Sequence, residues 1–217
     1  MSLSAPGAVR LSTGARRFCL SSVLAAACWL PQLGHTQPAD VLGIRYEPQV
    51  RVEGHELNLN GTGVAYRALV KLYTVGLYVP TKVHAAPEVL RQKGPKQLRF
   101  VMLRGMRVDE LGKLITHGIE QNCTRQEFFS MIPAIRAMGE QFSHMQRLNA
   151  QDVFTIAYTP ERGTAFFVND APVGPAIQDP QFFSAILKVW LGEHPTTNDL
   201  KNALLDHKAQ PVLSALE

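Results

Sequence analysis

Residues 59–80, Leu-Asn-Gly-Thr-Gly-Val-Ala-Tyr-Arg-Ala-Leu-Val-Lys-Leu-Tyr-Thr-Val-Gly-Leu-Tyr-Val-Pro, constrain the fold more than any other part of the sequence. β-Branched and aromatic residues fill 63–79, and Pro80, which cannot donate to a ladder, closes the run. With a turn expected inside it, the stretch predicts consecutive antiparallel strands. Tyr66, Arg67, Tyr73 and Thr74 ride on those strands in a largely apolar region, where polar side chains contact a ligand or one another.

The remaining sequence alternates between the two periodicities. Val50, Val52, Leu57 and Leu59 flank Gly54-His55 as a hairpin, whereas 37–47 reads as irregular. Pro87 opens a short helix to Gln92 that Gly94-Pro95 ends. Lys96 to Arg104 is a strand with Leu98, Phe100 and Met102 on one face. Leu111, Leu114, Ile115, Gly118 and Ile119 form a helical stripe. Thr124-Arg125-Gln126-Glu127 then reads as a capping box opening one helix whose apolar side runs from Phe128 to Met145. Asp152–Tyr158 and Thr164–Val168 form a second hairpin. Asp179 caps a helix leaving at Gly192, and Thr197 or Asn198 caps a last one ending near His207. Strands, helices, strands and helices in this order predict an α+β fold: a single domain in which helices cover one face of an antiparallel β-sheet.

The first acid is Asp40, while Arg10, Arg16 and Arg17 precede an apolar run from Phe18 to Leu33. That layout predicts a secretory signal peptide over residues 1–36 and a domain over 37–217, exported to the periplasm or secreted. Pro31 breaks the run before it reaches the ~20 residues of a membrane span. Arg16-Arg17 resembles a twin-arginine signal and Cys28 a lipidation site, each on a short pattern. Removing 1–36 takes three arginines and no acid, so the formal charge falls from +4 to +1. A near-neutral domain lacks the one-sided basic face of a nucleic-acid binder. Cys123 is then the only thiol, which excludes an internal disulfide. It reads as a small buried hydrophobe, because no activating motif surrounds it.

Dedicated chemistry is sparse. The histidines are scattered, without i,i+4 pairs or a Cys-x-x-Cys, which argues against a metal site. Gly61-Thr62-Gly63 lacks the third glycine of a phosphate loop and reads as a turn entering a strand. No Gly-x-Ser-x-Gly nucleophile motif is present. No cofactor is implied.

The block 59–80 and the capped helices of 179–205, joined by Gly-Glu-His-Pro, together resemble the chalcone isomerase-like family over roughly Val50 to Leu205. In enzymes of that family an arginine soon after the Gly-x-Gly turn stabilises a phenolic oxyanion in an apolar cleft. Counting from Gly63, its position is Ala65, and the nearest basic residue is Arg67. The family's Lys-Phe-Thr-x-x-Gly-x-Tyr pattern appears as Lys71-Leu72-Tyr73-Thr74-Val75-Gly76-Leu77-Tyr78, with Tyr73 at the threonine's place. Leu103 replaces a tyrosine ahead of Arg104, and Asn122 matches. These departures weigh against isomerase chemistry, which depends on preorganised donors, so no catalytic residue is assigned.

Family members that bind fatty acids hold the carboxylate with arginine and tyrosine. The resemblance therefore implies a small amphipathic ligand, a fatty acid or aromatic carboxylate, bound by Arg67 with Tyr73 or Tyr66, and with Asn122 nearby. Arg67 has two placements open to it: toward the cleft, or along the solvent face with its stem on the sheet. Two other functions compete, an intramolecular lyase or isomerase acting on a chalcone-like substrate and an envelope structural partner without ligand.

Overall fold

The computed structural model describes residues 38–207. The expected signal peptide, its twin-arginine pattern and Cys28 lie outside the described residues. Seven strands form one antiparallel sheet in the order β11-β10-β9-β6-β5-β4-β3. They are β3 (Gln49–Val52), β4 (His55–Arg67), β5 (Val70–Val79), β6 (Lys96–Met102), β9 (Val153–Thr159), β10 (Gly163–Val168) and β11 (Ala171–Pro172). Two smaller pairs stand apart, β1 (Ala39–Val41) with β2 (Ile44–Tyr46), and β7 (Met106–Arg107) with β8 (Arg147–Leu148).

The helices are α1 (Ala86–Arg91), α2 (Val108–Asn122), α3 (Arg125–Ser130), α4 (Ile132–Ser143), α5 (Phe182–Leu191) and α6 (Asn198–Leu204). The alternation of β6 explains the layering: Leu98, Phe100 and Met102 are buried in a core with Ile115 and Ile119 of α2 and Ile186 and Trp190 of α5. Gln97, Arg99 and Val101 emerge on the opposite face. There Tyr46, Leu57, Leu59 and Tyr78 build a second, smaller core beneath the β1–β2 hairpin. The domain is α+β, with helices on one sheet face, as expected.

Three local expectations are corrected. Within the segment expected to be irregular, residues 39–46 form the β1–β2 hairpin: Leu42 (φ 58°) and Gly43 (φ 77°) make a tight left-handed turn, and Asp40 Oδ1 accepts from Gly43 N at 2.9 Å. The helix opened by Thr124 does not run through to Met145. The capping box is present, but the chain breaks at Met131 (φ −92°, ψ 0°) and restarts with Pro133 in the first turn of α4, where its missing N–H costs nothing. Nor is Gly61-Thr62-Gly63 a turn. It lies inside β4, where α6 presses onto the strand. A Cβ at Gly61 would meet the carbonyl oxygen of Ala203 and lie 2.6 Å from that of Leu204. Asn60 fixes this approach by donating to Leu204 O at 2.8 Å while accepting from Val83 N at 2.8 Å.

Candidate ligand site

The far end of the β4–β5 hairpin approaches helices α2 and α5. After an earlier register shift at Asn60, pairing runs regularly from Gly61 to Ala65 opposite Tyr73, then slips so that Tyr66 faces Lys71. Leu72 is the extra residue of this bulge, and its carbonyl accepts from Leu103 N (2.9 Å) and Arg104 N (3.3 Å) instead. The hairpin ends in Ala68 at φ 52° and a fully exposed Leu69.

Behind this hairpin lies a cleft of about 290 Å³. Ala65, Tyr66, Arg67, Leu72 and Tyr73 form one wall, Leu114, Gly118 and Gln121 of α2 with Val189 of α5 the other, and the loop 194–197 closes it. Gly118 lets the two helices meet: a Cβ there would stand 2.6 Å from Val189 Cγ1. The cleft is at the small end of the ~300–1,000 Å³ of ligand pockets, and aliphatic, glycine and aromatic groups in its wall suit an apolar body.

Tyr73 is 2% exposed and packs edge-on to Phe100, ring centroids 5.3 Å apart. Its hydroxyl accepts from Trp190 Nε1 at 3.1 Å. The phenolic proton itself has no acceptor among the described residues, although Tyr73 is one of the residues that line the cleft. Burial pushes the phenol up to about 12, against which the Trp190 bond acts only in part. Tyr73 is therefore a neutral donor throughout the physiological range.

The other expected residues divide. Tyr66 (46% exposed) and Arg67 border the same cleft at its rim. Arg67 takes the exposed placement, at the end of β4, and no carboxylate lies within ion-pairing distance of it among the described residues. Asn122 is outside the lining and works as a clasp. Its Nδ2 donates to Gly118 O (2.9 Å) and His194 O (2.8 Å), while Oδ1 accepts from His194 N (2.8 Å). It thereby holds the loop 194–197 against the last turn of α2. The structure thus brings Tyr66, Arg67 and Tyr73 to one cleft and sets Asn122 behind it.

The pairing of Trp190 with Tyr73 is not visible in the sequence. A buried indole N–H needs an acceptor, yet nothing in residues 117 positions apart indicates which acceptor it finds. Cys123, partly buried, has its thiol pushed up by burial, in keeping with a packing role. Among the described residues no three His, Cys, Asp or Glu side chains are grouped to hold a metal, and no helix is long and apolar enough to cross a membrane.

A family model described as chalcone isomerase-like matches residues 38–206. None of the curated proteins matches the sequence. Among solved structures, a fatty-acid binding protein of Arabidopsis thaliana superposes with a TM-score of 0.61 at 12% identity, covering 78% of this chain and 96% of that one. That likeness carries the fold alone. With the family pattern spanning essentially the whole described domain, the chain belongs to the chalcone isomerase-like family.

Proposed function

We propose that this protein is an exported binder of a small amphipathic carboxylate, a fatty acid or an aromatic acid, held in the cleft between the β4–β5 hairpin and helices α2 and α5. The observation that carries the reading is the Tyr73 hydroxyl. It is buried, neutral and already accepting from Trp190, and its own proton has no acceptor among the described residues, on a side chain that lines the cleft. The carboxylate takes that bond while Arg67, at the rim, supplies the compensating charge. A charge at the rim costs no desolvation in the empty protein, and the apolar chain lies between Leu114 and Val189.

The fatty-acid binding of the Arabidopsis thaliana structure supports this ligand class. Isomerase chemistry has less support: Ala65, the position of the oxyanion arginine in the family's enzymes, is 5% exposed and brings no donor into the cleft. Export rests on the arginines and apolar run ahead of Asp40. N-terminal sequencing of the protein recovered from the periplasmic fraction tests it: a start near residue 37 supports export, and an intact Met1 in the cytoplasm overturns it.

Native mass spectrometry of the purified protein tests the binding. The expected result is an adduct released as a carboxylic acid on denaturation. A protein that carries no adduct and takes up none from added decanoate contradicts the proposal.

A further inference from the structure

The sheet face away from helices α2 and α5 contains a second hollow, of about 480 Å³, that shares no residue with the cleft. Cross-strand register explains its shape. Arg99 of β6 pairs with Thr155 of β9, which pairs with Phe167 of β10, and the adjacent row is Gln97, Ala157 and Ala165. Two alanines where the first row has threonine and phenylalanine leave a trough along the strands. Pro172 of β11 and Pro175 of the loop that follows wall it. At one end Arg162 Nη1 meets Glu53 Oε1 at 2.7 Å, joining the β9–β10 turn to the β3–β4 turn.

Arg99 is the unspent charge in this trough. Its side chain is only 32% exposed, and its one ion partner, Asp170, stands at 4.0 Å with 87% of its own side chain in solvent. Neither the Arg99 guanidinium nor the hydroxyl of nearly buried Thr155 has a hydrogen-bond partner among the described residues. Arg51 also lines the hollow, so cations outnumber Glu53 and Asp170 there, and Arg162 is already engaged. A half-buried guanidinium without a bidentate partner beside an apolar floor matches one kind of molecule, a flat apolar body with a single anionic head.

We propose that this trough is a second binding site, independent of the Tyr73 cleft, for an aromatic monoanion whose carboxylate or sulfonate is held by Arg99 and Thr155. The apolar body lies over Ala157 and Ala165 against Phe167.

The test is calorimetric titration of the full domain with 2-naphthalenesulfonate. Arg99→Gln removes a charge-assisted bond and is expected to weaken binding by about tenfold or more. Asp170 lies at φ 65°, which asparagine tolerates, and Asp170→Asn removes the competing carboxylate. This variant is expected to bind several-fold more tightly, a gain that misfolding does not mimic. Prior saturation of the other cleft with decanoate leaves the affinity unchanged. Absence of binding, unchanged affinity in Asp170→Asn, or a loss caused by decanoate overturns the proposal.

Discussion

Trp190 Nε1 donates to the Tyr73 hydroxyl at 3.1 Å, a bond that fastens helix α5 to strand β5 within the core. Both side chains are buried and share Phe100 as a neighbour, its centroid 5.3 Å from Tyr73 and 5.1 Å from Trp190. One hydroxyl therefore satisfies a buried indole N–H, and its own proton has no acceptor among the described residues.

Tyr73→Phe leaves the Trp190 N–H buried and unpaired. The expected destabilisation is about 1–3 kcal/mol, read as a lower urea midpoint at unchanged slope. A wild-type midpoint would show that Trp190 finds another acceptor.

Alkaline pH should unfold the protein earlier than its composition suggests. Tyr73 and Tyr46 are held near 12 by burial, above the ordinary value of 10.0, and burial raises Tyr78 as well. For a raised folded value the stabilisation is complete below the unfolded value and declines as pH climbs through the folded one. Above pH 10 the unfolded phenols ionise while the folded ones retain their protons, so stability falls progressively between about pH 10 and 12. Urea midpoints measured across this window check the slope, and Tyr73→Phe should flatten it in part.

Gly61→Ala tests the seat of α6. The new methyl meets the backbone carbonyls of Ala203 and Leu204, and backbone cannot rotate aside as a side-chain tip can. A loss of at least about 1–3 kcal/mol is expected, with faster amide exchange concentrated in 198–204.

Asn122→Ala unties the clasp on His194. Because three hydrogen bonds depend on this side chain, about 1–3 kcal/mol is expected, with local exchange rising in the loop 194–197 that closes the cleft. Ligand affinity should fall through this loop, although Asn122 does not line the cleft.

Much of the architecture was legible because it rests on local rules. The 2-residue alternation of Lys96–Met102, the Thr124-x-x-Glu127 box and the exit at Gly192 each reappear as read. The break at Met131 was less visible, since Phe128, Met131, Ile132 and Ile135 keep an apolar side through it and only Pro133 marks the restart. The site was legible in part. Order along 59–80 brought Tyr66, Arg67 and Tyr73 together, but the bulge at Leu72 and the exposed place of Arg67 at the end of β4 depend on pairing register and tertiary contacts. Asn122 looked like a site residue because its type and position fit; its partner, His194, lies 72 positions away. The trough was not visible at all, since its rows are assembled from β6, β9 and β10.

Calorimetric titration of the domain with decanoate, in wild type and Tyr73→Phe, tests the central claim most directly. The account predicts saturable binding of one decanoate in wild type and about a tenfold weaker affinity without the hydroxyl, as for a lost hydrogen bond to a charged group. Equal affinity in the two proteins, or no binding in wild type, would contradict it.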